Sequence, residues 1–253
     1  MSLIHNITFE IYHDGPSQVI SEYILNNKKG YICVLSGHGF SLSLVDKIFN
    51  NTLCNSLTNV PDGKPIALYA RYKYKKRVMR IYGPDLMVSI LKTLNNLKRK
   101  KIFFIGGSKK IENIIVPKIN ALYPNLLIVG FDSRFIDLNK PDNSLIKAIN
   151  KQNPDIIFVG IGCPKQELWM YQNSNKINSL LIGVGAAFDF FAETKKQAPR
   201  WMQDNYLEWL YRLSQEPRRL FSRYFKYNLI FLIHCFIMLL RYPFNSLKRN
   251  FFK

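Results

Sequence analysis

The stretch Gly160-Ile161-Gly162-Cys163-Pro164-Lys165-Gln166-Glu167 gathers much of what phosphate recognition needs. Its glycines permit a turn that brings backbone amides close to a ligand. Pro164 suits a helix's first turn, where a missing N–H costs nothing. Lys165 then offers a charge for a phosphate, and Gln166 an amide that both donates and accepts. Glu167 is equally a first-turn acid favoured by the helix dipole. A second turn, Gly106-Gly107-Ser108, follows an apolar run and opens another helix, a place where backbone can approach an anion. It lacks the spacing of a Walker A loop, and the chain holds no GxGxxG. In Asn59-Val60-Pro61-Asp62-Gly63 the PDG turn explains itself, yet Asp62 is also a carboxylate able to take a proton from a hydroxyl. Both readings stay open from local sequence. Asp85 in GPDLM and Asp189 in AAFDFFAE sit beside small residues, and His38 in SGHGF either touches a ligand or caps a turn. Arg212, Arg218, Arg219 and Arg223 cluster in LYRLSQEPRRLFSRYF. No Asp-x-Asp pair is present, which leans toward phosphate handling by arginine and lysine rather than by a divalent metal.

The elements that must position these residues read as strands alternating with helices. Apolar runs at 31–36, 101–107, 126–130, 155–162 and 179–185 end in small residues or turn signals, as parallel strands covered on both faces do. Helical spacing occupies 41–56, 84–99, 108–123, 142–152 and 165–178, with Ser108 and Asp142 at N-cap positions. The expected fold is α/β: an open, mainly parallel, Rossmann-like sheet with helices on both faces. In such sheets ligands bind at the carboxyl ends of the strands. The basic, tyrosine-rich piece 70–80 reads as an exposed loop ending in a short strand toward Ile81.

From residue 199 onward the character changes, dividing the chain into an α/β domain over 1–198 and a basic helical appendage over 199–253. Helices are expected at 200–215 and 217–241, separated at Pro217. The apolar run 227–240, interrupted by His234, is shorter than the roughly 20 residues that cross a bilayer. Flanked by arginines and lysines, it reads as an interfacial helix, with a buried core helix as the alternative.

The chain has 253 residues, a formal charge of +19 and four cysteines without CxxC or zinc-ligand spacing. Such charge favours polyanionic partners: nucleic acid, anionic headgroups or phosphorylated substrates. The N-terminus lacks the pattern of a secretory signal, and isolated thiols fit a reducing compartment, so a cytoplasmic location is expected.

Taken together, NVPDGKP (59–65), RIYGPDLM (80–87), FFIGG (103–107), VGIGCPKQELW (159–169), VGAAFDFFAE (184–193) and APRWMQDNYLEWLYRLSQEPRRLFSRY (198–224) resemble the WecG/TagA/CpsF glycosyltransferases. The resemblance implies inverting, metal-independent transfer from a UDP-sugar, N-acetylmannosamine or another hexose, to a polyprenyl-diphosphate-linked acceptor. It needs no cofactor. The work would be done on the inner face of the membrane, against anionic lipids and in cell-surface polysaccharide assembly. By position in the motifs, Asp62 would be the general base. Arg80, Gln166 and Asp189 would line the donor pocket, beside Ser36, His38, Asp85, Gly106, Gly107, Pro164 and Lys165. Arg212, Arg218, Arg219 and Arg223 would meet the acceptor's diphosphate.

Two departures stand out. Many members carry Thr-x-Asn where this chain has Ser36-Gly37-His38, and Glu193 replaces a usual glycine, a change expected to reshape the pocket around Asp189. A nucleic-acid-binding protein would share the charge but little else here, and the missing GxGxxG disfavours a nicotinamide enzyme. A non-catalytic sugar-nucleotide-binding or membrane scaffold protein on the same fold is the alternative. Homo-oligomer formation is left open.

Overall fold

The computed structural model describes residues 7, 9, 16–74, 78, 80–97, 99–140, 142–199, 201, 202, 205 and 207–241, with the backbone alone at 16–19, 64, 74, 219, 223 and 238–241. Six strands form one sheet: β1 (Gly30–Leu35), β2 (Thr58–Pro61), β3 (Lys101–Gly106), β4 (Leu127–Asp132), β5 (Ile156–Gly160) and β6 (Leu180–Gly183). Their order is β2-β1-β6-β5-β3-β4, and every pairing is parallel. The expected α/β sheet is therefore present.

Alternation along the strands divides the core between two faces. Ile32 and Val34 of β1, Phe104 of β3, Phe158 of β5 and Ile182 of β6 point to one face. There they meet α1 (Pro16–Leu25), α5 (Gly83–Leu97), α6 (Lys109–Leu122) and α9 (Ala187–Phe191). Tyr31, Cys33, Leu35, Ile157 and Leu181 point to the other. They are covered by α2 (Gly37–Ser43), α3 (Lys47–Cys54), α4 (Lys64–Tyr74), α7 (Asn143–Gln152) and α8 (Lys165–Asn173). Ser108 and Asp142 cap α6 and α7, their side chains accepting from Ile111 N at 3.3 Å and Leu145 N at 3.0 Å.

Several elements depart from the sequence reading. The helix expected over 41–56 is two helices, because Asp46 starts a new one by accepting from Phe49 N at 3.0 Å. Helix α8 ends at Asn173 and gives way to a 3-10 turn, Ser174–Lys176. Strand β2 carries Asn59 and Pro61, poor strand residues; Asn59 pairs with Cys33 of β1 and bridges Phe9, and its buried amide donates to Leu53 O at 3.0 Å and Ser56 Oγ at 2.9 Å. The basic piece 70–80 is no loop up to Tyr74. Ile66, Tyr69 and Ala70 form a buried stripe at helical spacing, and α4 leaves its charges outside. The short strand toward Ile81 is not formed among the described residues.

Beyond residue 199 the helix expected over 200–215 is interrupted: Trp201 and Met202 are helical, Asn205 lies in a turn, and α10 runs only over Glu208–Gln215, while α11 (Pro217–Arg241) opens at Pro217 as expected. Helix α11 packs across α2. Phe231 meets Phe40 with ring centroids 5.9 Å apart, and His234 meets Tyr69 at 5.6 Å. Among the described residues no helix is long and apolar enough to cross a membrane.

Candidate active site

A cavity of about 1740 Å³ opens at the carboxyl ends of β2, β1, β6 and β5, four neighbours in the sheet. The loops after them line it with Asp62 and Gly63, Ser36 to His38, Val184 to Asp189, and Gly160 to Gln166. Helices α10 and α11 close its far side.

Asp62 leaves the end of β2 with its amide donating to Leu35 O at 2.9 Å, which anchors it beside β1. Its carboxyl is half-buried on the cavity wall. Burial pushes its pKa up to about 6; Arg212 and Arg80 pull it back down, while Glu208 and Asp85 push it up. A carboxylate near 6 is ionised at neutral pH yet more basic than an ordinary aspartate.

The charges around Asp62 form a chain. Arg80 Nη2 donates to Glu208 Oε2 at 2.6 Å, and Arg212 approaches Glu208 Oε1 at 2.7 Å. Arg212 Nη2 also donates to Tyr82 OH at 3.3 Å, and its guanidinium lies 5.8 Å from the Phe190 ring centroid. Burial works against the charge of Arg212, but Glu208, Tyr82 and Asp62 outweigh it and raise its pKa. Arg80 stacks over Tyr82 at 5.3 Å, and its buried Nε has no hydrogen-bond acceptor among the described residues. Glu208, Tyr82 and Lys195 were not singled out in the sequence. The spacing of Glu208 four residues before Arg212 was the available signal, since such pairs face each other on a helix.

On the opposite wall, the side chain of Gln166 is held at both ends. Its Oε1 accepts from Gly185 N at 3.0 Å and its Nε2 donates to Glu167 Oε1 at 2.8 Å. Glu167 is 1% exposed, and burial pushes its pKa up to about 7 against hydrogen bonds from Gln166 and Cys163. It is a buried group that fixes Gln166, beyond the surface first-turn acid that its position suggests. Lys165 lines the rim with its amine 4.8 Å from the Phe135 ring centroid. Ser36 caps α2, accepting from Gly39 N at 3.4 Å, and His38 sets its ring edge-on to Tyr227 of α11 at 4.5 Å. Asp189 sits 3.9 Å from Lys195, which also reaches Glu216 at 3.8 Å.

The structure thus brings together Ser36, His38, Asp62, Arg80, Pro164, Lys165, Gln166, Asp189 and Arg212. It does not bring Gly106 and Gly107, which lie outside the cavity lining. Strand β3 lies on the far side of β5 from the cavity, and a Cβ on Gly106 would stand 2.7 Å from Gly160, so this glycine serves strand packing. Gly107 faces Ile111, Phe188 and Phe131. Asp85 is exposed in the first turn of α5, outside the lining, and reaches the site only through its field on Asp62. Arg218 is exposed and also outside it. The side chains of Arg219 and Arg223 lie outside the described residues. Glu193 does not reshape the pocket: it is 79% exposed and bonds Lys118 at 2.5 Å. Its φ of 58° is the left-handed conformation that glycine adopts freely. Among the described residues no three His, Cys, Asp or Glu side chains gather as a metal site.

Residues 4–245 match the glycosyl transferase WecG/TagA/CpsF family. The chain belongs to this family. Among curated relatives, a protein of Bacillus subtilis (strain 168) is 33% identical over 179 residues, covering 70% of this chain and 68% of the relative. One of Bacillus spizizenii is 26% identical over 205 residues, covering 80% and 78%. One of Staphylococcus aureus (strain MW2) is 31% identical over 162 residues, covering 64% and 62%. All three are N-acetylglucosaminyldiphosphoundecaprenol N-acetyl-beta-D-mannosaminyltransferases. As a member of this family of glycosyltransferases, the chain is an enzyme of glycosyl transfer.

Proposed function

We propose that this enzyme moves N-acetylmannosamine or a related hexose from a UDP-sugar to a sugar hydroxyl on a polyprenyl diphosphate, with inversion and without a metal. The single observation that carries the reading is Asp62, a half-buried carboxylate with a pKa near 6, standing in a strand-end cavity beside the cations Arg80 and Arg212. The names of the relatives support the acceptor class.

In this reading the donor lies across the ends of β1, β6 and β5, against Ser36, His38, Gln166 and Asp189. Its diphosphate meets Lys165 and the N-terminus of α8, which replaces the Gly106–Gly107 turn in that role. The acceptor's diphosphate meets Arg212, with Arg218, Arg219 and Arg223 farther along. Asp62 accepts the hydroxyl proton as that oxygen bonds the anomeric carbon from the face opposite UDP. The bond from that carbon to the UDP oxygen breaks, and cationic side chains stabilise the departing diphosphate.

Helix α11 bears exposed Phe221, Phe225, Leu229, Ile233 and Phe236, recurring every three to four residues, beside basic Arg218 and Lys226. Such a stripe favours lying on an anionic membrane surface, which for a UDP-sugar enzyme is the cytoplasmic leaflet. The test is transfer from a panel of UDP-sugars to N-acetylglucosaminyl polyprenyl diphosphate. The reading expects turnover with at least one donor, lost in Asp62→Asn. Absence of transfer from every donor, or full turnover in a folded Asp62→Asn variant, overturns it.

A further inference from the structure

The cavity has a second arm that the chemistry above does not use. Beyond Asp62 the chain turns into α4, and beyond Arg212 into α11, and these two helices line the cavity outward from the reacting centre. Their contribution is mainly apolar, Leu68 from α4 and Phe231, Leu232 and Cys235 from α11, with four tyrosine rings and one amide, Asn228. From Tyr224 to Cys235 a helix rises about 16 Å. The floor is closed by aromatic contacts, Phe40 to Tyr69 at 4.5 Å and Phe40 to Phe231 at 5.9 Å. Its upper edges stay open, Leu68 being 44% and Leu232 63% exposed. Among the described residues no charged side chain from α4 or α11 lines this arm, in contrast to the Asp62, Arg80, Glu208 and Arg212 end.

Beyond Asn228 and the tyrosine hydroxyls this wall offers few hydrogen-bond partners to the base, ribose and sugar of a nucleotide sugar. An unbranched apolar chain attached to a diphosphate fits both ends together, its anion at Arg212 and its hydrocarbon between α4 and α11. We infer that the trough between α4 and α11 binds the first isoprene units of the lipid acceptor, those adjoining its diphosphate. This rests on the lipid-acceptor reading of the same site. The prenyl chain then enters the enzyme before it reaches the bilayer. The acceptor sugar is aligned on Asp62 by a chain gripped over more than one helical turn rather than by its diphosphate alone. The exposed stripe at Phe221 and Phe225 is a separate surface that does not line the cavity.

The experiment is calorimetric binding of farnesyl diphosphate and of methyl diphosphate to the full chain in detergent-free buffer. The two probes share an anion and differ only in the apolar chain. Burying even a few methylenes predicts that farnesyl diphosphate binds at least roughly tenfold more tightly. Leu68→Gln and Leu232→Gln should each reduce that preference severalfold. Equal affinity of the two probes overturns the inference. So does a preference lost in Phe225→Gln but kept in Leu68→Gln and Leu232→Gln, which would assign the prenyl chain to the outer stripe. Prenyl preference without transfer from any UDP-sugar keeps the trough and removes the transferase reading. Transfer without prenyl preference does the reverse.

Discussion

Arg80 and Glu208, 128 residues apart in sequence, form an ion pair of 2.6 Å across the cavity. The pair ties the segment leading into α5 to helix α10, and the other oxygen of Glu208 holds Arg212. Glu208 therefore stands between the two cations that an anionic substrate would seek, and its charge also acts on Asp62.

Replacing Glu208 by Gln should shift the acid limb of the pH–kcat/KM profile to lower pH. Asp62 must be ionised to act as a base, so activity falls as pH drops through its pKa near 6. Removing Glu208 takes away a like charge that raises this pKa and frees Arg80 and Arg212 to lower it further. Both effects have the same sign. An acid limb that stays in place or moves upward in Glu208→Gln contradicts the arrangement.

Asp62→Asn should lose about 10²–10⁴-fold in turnover, the range for losing a general base, yet gain stability at neutral pH. The folded protein holds the Asp62 proton more tightly than the unfolded chain, so its contribution to stability is complete below the unfolded value of 3.8 and is lost as pH rises through about 6. The neutral amide avoids that loss, by on the order of 2 kcal/mol. Thermal unfolding of both proteins between pH 4 and 8 reads this directly. The variant should melt higher at pH 7.5, and the gap should close toward pH 4.

Glu167 obeys the same sign with a different consequence. Its folded pKa of about 7 means that stability present below its ordinary value of 4.5 is lost as pH passes 7. Glu167→Gln should flatten the decline in melting temperature between pH 6 and 8.5. Glu167→Ala, which leaves Gln166 Nε2 without its acceptor, should weaken UDP-sugar binding severalfold as measured by donor KM. An Ala variant with wild-type donor KM would show that Gln166 needs no such support.

The sheet was legible because parallel strands are continuous apolar runs, and five of the six announced themselves that way, four buried and the fifth, β4, partly exposed at the end of the sheet. Strand β2 did not, since it is only four residues long and holds Asn59 and Pro61, poor strand residues. Helix α4 hid for the opposite reason. Its basic end, with Arg71 and Lys73, runs on into more lysines, while its buried residues are Ile66, Ala67, Tyr69 and Ala70. In the site, Asp62, Gln166 and Arg212 were marked by residue type within dense motifs. Glu208 was not, because its role depends on α10 folding back against Arg80, a long-range contact with no local trace. Gly106 misled in the same way: a glycine turn looks alike whether it admits a phosphate or a neighbouring strand.

Glu193→Gly should leave catalysis within about twofold of wild type. The residue is exposed and bound to Lys118, away from the cavity. Its φ of 58° costs a non-glycine residue on the order of 1 kcal/mol, which the change relieves, while the exposed ion pair it removes contributes less than that. A large change in donor KM would place Glu193 in the pocket after all.

The outer face of α11 carries the last prediction. Phe221 and Phe225 are exposed and stack in parallel at 6.5 Å, one turn apart, which gives a continuous aromatic surface on a helix rich in arginine. Inserting one such ring in a membrane interface contributes roughly 1.5–3 kcal/mol when burial is complete, so the double variant Phe221→Ser, Phe225→Ser should lower partitioning onto anionic vesicles by at least about tenfold. Raising salt should weaken the wild-type protein as well, because the flanking basic residues contribute through screened charge. Transfer to a short, water-soluble acceptor should survive the double substitution, since neither ring lines the cavity. Unchanged vesicle binding in the double variant would move membrane contact away from this face of α11.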